Sequence, residues 1–368
     1  MMPRSARRVL HFVVSFAIII RSACPHSFFC AILFLRYNYN YSKNGGIVFM
    51  NTVMGVDVGG TKILIGIVRP DGTITHERRY PSQRGAQDAA IAAVKRAVAA
   101  YWAEMVETKV VPKPDAIGLG LVGQVDHRRA VWLFSIATPI LEPCPLGQEL
   151  MQQYQIPVIA DNDVHCATLA EIQFGAGRRF RDFVYLNVGT GIAAGLVSDG
   201  RLIRGHQNNA GEVGHIVANI DVPCKCGRTG CIETYASGGG MIRHARALME
   251  QYPDSVLARL DREGRMVSST IVQAAHEGDV LAIRVADLMM KAQLSMVQDI
   301  INFMDPQAII CGGGVFRDSW LLQGIIDGLT GWLPPNNLAL LDNITVSQLD
   351  PQKIGLIGAA LSAYQASV

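Results

Sequence analysis

M-G-V-D-V-G-G-T-K, Met54 to Lys62, is the stretch on which the reading of this chain turns. An apolar strand from Val53 to Val58 runs into Gly59-Gly60-Thr61-Lys62, and a second strand follows from Ile63 to Val68. The Pro70-Asp71-Gly72 turn then closes a hairpin to Thr73 to Arg79. Two glycines after a strand leave backbone N–H groups able to approach a phosphate, and the Thr61 hydroxyl adds a donor. The spacing is not that of a Walker loop. Taken alone it is more commonly a Gly-Gly hairpin turn. The plan recurs ~130 residues later as Leu186-Asn187-Val188-Gly189-Thr190-Gly191, followed by the apolar strand Ala193 to Val197 and the Asp199-Gly200 turn. Two copies imply paired α/β halves facing each other across a nucleotide.

The segments between and after these units fit that plan. Asp88 to Glu104 is Ala-rich with helical periodicity, and Ala116 to Val122 reads as a buried strand ending in Gly123-Gln124-Val125-Asp126. Pro139, Pro143 and Pro145 predict an irregular loop before a helix over Leu146 to Gln153. Pro157 to Ala160 predicts a short strand that stops at Asp161-Asn162-Asp163, just before a helix over Val164 to Phe174. Polar residues at the C-terminal end of a strand lie where α/β proteins place ligand chemistry. Asp161 is also readable as no more than an Asx turn or helix N-cap. Gly238 to Gly240 open a further helix through Met249. Gln307 to Cys311 is a buried strand ending in a third glycine turn, Gly312-Gly313-Gly314, and the small-residue helix Gly355 to Leu361 suits close packing on a sheet or a purine ring.

A second cluster of chemistry lies in Gly211 to Glu233, G-E-V-G-H-I-V-A-N-I-D-V-P-C-K-C-G-R-T-G-C-I-E. His215, Cys224, Cys226 and Cys231 make a Cys3His set suited to tetrahedral zinc, and a closed set of four ligands leaves no position for water, so such a zinc is structural. Glu212 and Glu233 bracket the set and would be aimed toward a common pocket. The alternatives are a buried cysteine cluster or a disulfide, although cysteines in a C-x-C geometry rarely bridge each other.

The 368 residues are 49% hydrophobic and 17% charged, enough for two domains and a large core. Eight cysteines, three of them the proposed ligands, suit a reducing compartment and a cytoplasmic protein. The formal net charge of +2 hides an asymmetry: residues 1–49 hold Arg4, Arg7, Arg8, Arg21, Arg36 and Lys43 and no acid. Removing those six leaves 27 basic against 31 acidic residues, a net −4, which argues against nucleic acid as the main partner. The leader's apolar runs, Val9 to Ile20 and Phe28 to Leu35, are broken by Arg21, Pro25 and His26. They are readable as translated upstream sequence ahead of a start at Met50, with no membrane role, or alternatively as a signal or anchor.

Taken together, D-V-G-G-T-K, the N-D after a strand, the G-T-G turn, G-E-V-G-H, C-K-C-G-R-T-G-C-I-E, the G-G-G turn and the G-A-A helix resemble, in order, the ROK family of the actin-like ATPase superfamily. The resemblance implies an ATP-dependent sugar kinase. Its two ribonuclease-H-like α/β domains would close on a hexose or N-acetylhexosamine, with a zinc loop beside the cleft. The small domain would span residues 50–163, completed by 355–368, and the large domain 164–354. Carried over by residue, Asp163 looks like the general base, acting on what is most often the 6-hydroxyl. Asn162, Gly123, Glu212, His215 and Glu233 look like sugar contacts, with His215 also on Zn²⁺. Gly59, Gly60, Thr61, Lys62, the Gly189-Thr190-Gly191 turn and Gly312, Gly313 and Gly314 would hold ATP, which brings Mg²⁺ with it. A homodimer is implied.

The chain departs from the family pattern in two loops. Val122-Gly123 stands where Pro-Gly is usual, and Ala137-Thr138-Pro139-Ile140-Leu141 where Asn-Leu-Pro is usual. Those loops help to choose the sugar, so glucose, fructose, N-acetylglucosamine and N-acetylmannosamine all stay open. Competing functions are a sugar-responsive repressor of the same family and a non-catalytic sugar sensor. Residues 1–49 have neither the length nor the periodicity of the repressors' helix-turn-helix.

Overall fold

Strands that alternate buried side chains between two faces need a layer on each side, and this chain supplies three helical layers for two sheets. The computed structural model describes residues 50–366 apart from 84, 219–221 and 318, together with 40–41 and 47–48, which pair antiparallel. The expectations for the leader otherwise lie outside the described residues. The first sheet contains β1 (Val53–Val58), β2 (Lys62–Val68), β3 (Ile74–Pro81) and β4 (Ala116–Leu121). A short hairpin of β5 (Gln124–Asp126) and β6 (Val131–Phe134) precedes its last strand, β7 (Val158–Asn162). The order is β3-β2-β1-β4-β7, antiparallel on the β2 side and parallel through β4 and β7.

The second sheet repeats this with β8 (Phe183–Val188), β9 (Ile192–Ser198), β10 (Arg201–Ile203), β11 (Ala308–Gly312) and β12 (Ile344–Val346), ordered β10-β9-β8-β11-β12. Pairing is again antiparallel through β9 and parallel through β11. One topology used twice is what paired ribonuclease-H-like halves require.

The layers include α1 (Gln87–Tyr101), α2 (Leu146–Tyr154), α3 (Asp163–Phe174), α4 (Gly238–Leu248), α5 (Val280–Met304) and α6 (Ile354–Ala366), with Ser268–His276 and Ser319–Thr330 packed beside α4 and α5. Met54, Val56 and Val58 of β1 point outward to a core with α1 and α2. Val184, Leu186 and Val188 of β8 point outward to a core with α4 and α5. The opposite faces, with Val53 and Leu64 from one sheet and Phe183 and Tyr185 from the other, share a third core with α3 and α6.

Close approach explains the small residues of α6. A Cβ at Gly118 of β4 would lie 1.9 Å from the Ala359 carbonyl oxygen, and one at Gly358 would lie 1.7 Å from that of Cys166 in α3. The helix therefore packs backbone to backbone on the sheet and on α3, so of the two surfaces its composition suits, the sheet is the one it meets. The loop read as irregular around Pro139 follows the β5–β6 hairpin, which the sequence reading passed over. Trp132 anchors that hairpin, fully buried and donating Nε1 to the Val122 carbonyl at 2.9 Å. Among the described residues no helix is long and apolar enough to cross a membrane.

Candidate active site

Strand β7 passes into α3 without a connecting loop, and the residue at the junction caps the helix. Asn162 is that cap: its Oδ1 accepts from the backbone N–H of Val164 at 2.9 Å and of His165 at 3.0 Å. Its Nδ2 donates to the Gly123 carbonyl at 2.9 Å. Gly123 has φ +92, and a Cβ there would lie 2.4 Å from the Phe134 carbonyl oxygen, so glycine is required for the carbonyl to face Asn162. The cap reading offered for Asp161 is thus corrected to its neighbour, because the extended backbone of Asn162 presents its side chain to the helix's free amides.

Asp163 occupies the first turn of α3, half-buried. Burial pushes its carboxyl up to about 7; the like charges of Asp57 and Glu212 add to this, while the Val164 N–H and His165 oppose it. Asp57, near the end of β1, was not singled out from the sequence beyond its place in the glycine motif. Burial raises it to about 6, against the pull of Lys62. A Cβ at Gly355 in the first turn of α6 would lie 2.8 Å from the Asp57 carboxylate, so that helix start faces the acid. Burial raises all three carboxyls, with Asp57 and Glu212 adding to the rise at Asp163, and such a cluster is suited to a cation and to proton removal near neutral pH.

The glycine turns differ in what surrounds them. Gly59 donates its N–H to the Lys62 carbonyl at 3.0 Å, a tight hairpin turn, while Lys62 Nζ donates to the Gln352 side chain and Thr61 is exposed. Gly189 donates to the Gly191 carbonyl at 2.9 Å, and its own carbonyl accepts from Gly238 N–H at the start of α4. Space within 4 Å of a Cβ at Gly189 or Gly314 is open. Gly312 and Gly313 have no such space: a Cβ would lie 2.1 Å from the Tyr185 hydroxyl oxygen or 2.2 Å from the Val188 carbonyl oxygen, and Gly313 has φ +90. Glu233 ties the Gly189-Thr190-Gly191 turn to the cysteine-rich loop by accepting from the Ile192 N–H at 2.8 Å.

In that loop the ligand atoms of His215, Cys224, Cys226 and Cys231 all lie within 4.8 Å of one another. Cys224 Sγ is 3.8 Å from His215 Nδ1 and Cys226 Sγ is 3.6 Å from Cys231 Sγ, and the three cysteines are free, which sets the disulfide alternative aside. Bonds of about 2.3 Å to sulfur and about 2.0 Å to nitrogen on one tetrahedral zinc would separate its ligand atoms by roughly 3.5–3.8 Å. The donor set therefore fits zinc in both chemistry and spacing. The other ring nitrogen of His215 faces Glu212 Oε2 at 3.8 Å, so the same imidazole joins the loop to the site.

Asp161 proves to be the centre of a buried polar network. Its Oδ2 accepts from Arg204 Nε at 2.9 Å and from Arg204 NH2 at 2.8 Å, and its Oδ1 accepts from the Asn162 N–H at 2.9 Å and faces His165 Nδ1 at 3.2 Å. Single-sequence reading had no signal for Arg204, which stands 43 residues away.

The ROK family profile matches residues 53–366. The chain is 30% identical over 321 residues to a glucokinase of Streptomyces coelicolor, covering 84% of this chain and 97% of that protein. It is 28% identical over 313 residues to an N-acetylmannosamine kinase of Escherichia coli, covering 85% and 98%. The structure of a ROK family glucokinase from Streptomyces griseus in complex with glucose and AMPPNP superposes with a TM-score of 0.69 at 30% identity, covering 84% of this chain and 98% of that one. With a repeated α/β topology, the ordered glycine turns and a profile match along nearly all of its described length, this chain belongs to the ROK family.

Proposed function

We propose that the protein transfers the γ-phosphoryl group of ATP to a hydroxyl, most simply the 6-hydroxyl, of a hexose or N-acetylhexosamine, with Asp163 as the general base. The observation that carries this is the placement of Asp163. It lies at a helix start beside Asp57 and Glu212, with its carboxyl raised to about 7, where a base can take a proton at physiological pH. The sugar oxygen attacks the γ-phosphorus as the bond to ADP breaks, and its proton passes to Asp163. Mg²⁺ carried with the nucleotide would supply charge neutralisation for the transferred group, and Asp57, beside the base, is suited to hold it. The open space at Gly189 and Gly314 suits phosphate oxygens, and the close packing at Gly312 and Gly313 leaves their backbone to line the same nucleotide site.

Glu212, Glu233 and His215 present acceptors and a ring nitrogen for sugar hydroxyls. Asn162 has only its second Nδ2 hydrogen left for that purpose, because its oxygen caps α3. Zinc on His215, Cys224, Cys226 and Cys231 would hold the loop that presents Glu212 and Glu233. The similarity to kinases named for glucose and for N-acetylmannosamine supports the reaction type and leaves the choice between hexose and N-acetylhexosamine to experiment.

The test is coupled ADP release against glucose, fructose, N-acetylglucosamine and N-acetylmannosamine, with Asp163→Asn as control. General-base catalysis is worth roughly 10²–10⁴-fold, so the variant should lose about that much turnover with little change in sugar affinity. Near-normal turnover by Asp163→Asn, or none by the wild type with any of the four sugars, would remove the proposal.

A further inference from the structure

We infer that the buried Asp161–Arg204 pair is a positioning device, which sets the Asn162-Asp163 dyad against the loop that delivers Glu212 so that both sheets grip one acceptor sugar. This rests on the kinase reading and deepens it. Asp161 is the next-to-last residue of β7 in the first sheet and is wholly buried, whereas Arg204 directly follows β10 of the second sheet. The contact between them is therefore a joint between the two halves. The two-pronged geometry, Nε and NH2 on one carboxylate oxygen, fixes direction as well as distance.

From Asp161 the network reaches the site along two short routes. Its other oxygen holds the Asn162 N–H, the residue that caps α3 and so aims Asp163. The same oxygen faces His165, whose Nε2 faces the Ala210 carbonyl at 3.3 Å, two residues before Glu212. Burial works against the charged form of Asp161, yet His165, Arg204 and His127 together hold it well below the usual carboxylate range. A carboxylate that stays ionised keeps the joint closed at every pH at which the base works. Asp161 takes no proton from the sugar and touches none of the reacting atoms.

A pair that serves only stability predicts a different outcome. Removing one partner leaves a buried charge alone and lowers the melting temperature, while removing both lets the fold recover. The test compares Asp161→Asn, Arg204→Gln, the double variant Asp161→Asn/Arg204→Gln, and Arg204→Lys, in melting temperature and in steady-state kinetics per active site. For a positioning pair, the double variant regains much of its melting temperature. Its kcat/KM for the sugar stays down by roughly 10- to 10²-fold, the scale set by small misplacements of a base, while KM for ATP is unchanged. Arg204→Lys keeps the charge without the fork and should show a smaller loss of the same kind; it carries the comparison should the other variants not fold. Kinetics that recover together with stability in the double variant, or a sugar kcat/KM at the wild-type level in Arg204→Lys, would overturn the inference. Wild-type turnover on the four-sugar panel is measured first. If there is none, the kinase reading fails on its own account and the same variants are compared in sugar affinity by calorimetry.

Discussion

Asp163→Asn should make the folded protein more stable while destroying its turnover, and the gain should depend on pH. The carboxyl rises from 3.8 to about 7 on folding. Between those values the folded chain holds a proton that the unfolded chain has released, so wild-type stability falls as pH rises through the window and stays low above it. At about 1.36 kcal/mol per pH unit the full shift would amount to roughly 4 kcal/mol, and solvent contact at this half-buried side chain screens it to about 2 kcal/mol. Asparagine never ionises and escapes this cost. The variant should therefore exceed the wild type at pH 8 by about 2 kcal/mol, or roughly 4–8 °C in melting temperature, and the gap should close as pH falls toward 4. Thermal melts of both proteins at pH 8, 7, 6 and 5, without sugar or nucleotide, measure it. A gap that is constant with pH, or one that widens toward acid, would refute the assignment of a raised carboxyl to Asp163.

The kcat/KM for the sugar should climb as pH passes through about 7, because Asp163 must lose its proton to act as base; a flat profile from pH 5.5 to 8 would exclude it. Gly189→Ala meets open space, so it should leave the melting temperature unchanged while raising KM for ATP. Gly313→Ala, with φ +90 and a carbonyl 2.2 Å from the new Cβ, should lower the melting temperature by several degrees, and equal stability of these two variants would contradict the packing described. Removing zinc with a chelator should lower the melting temperature and abolish turnover by releasing Glu212 and Glu233, with recovery on adding zinc. Chelated protein that keeps both its turnover and its melting temperature would show that the cysteine cluster holds no metal of consequence.

The parts of this molecule that were legible in its sequence are those built from neighbours in the chain. Apolar runs bounded by glycine turns located β1, β2 and β9 to within a residue or so, and the recurrence of those turns announced a repeated topology. The Cys3His set was readable because its three cysteines lie within eight residues of one another. The hairpin of β5 and β6 was missed, since three- and four-residue strands carry too little pattern. Asp57 was read as part of a strand because nothing local reveals that α6, some 300 residues later, begins against its carboxylate. Asp161 was read as a cap for the same reason. A capping residue and a buried ion-pair partner look alike until the distant arginine is known.

The placement of α6 bears on how the chain comes to be folded. Tyr364 donates its hydroxyl to the Val68 carbonyl at 2.9 Å across 296 residues, and Gly118 meets Ala359 backbone to backbone. During synthesis from the N-terminus, β1, β2 and β4 can pair early, but one apolar face of that sheet stays uncovered until the last helix has emerged. Such high contact order slows folding and leaves sticky surface exposed in the meantime. The sheet's apolar face therefore waits for the thirteen-residue α6, made some 230 residues after β4, before it is covered.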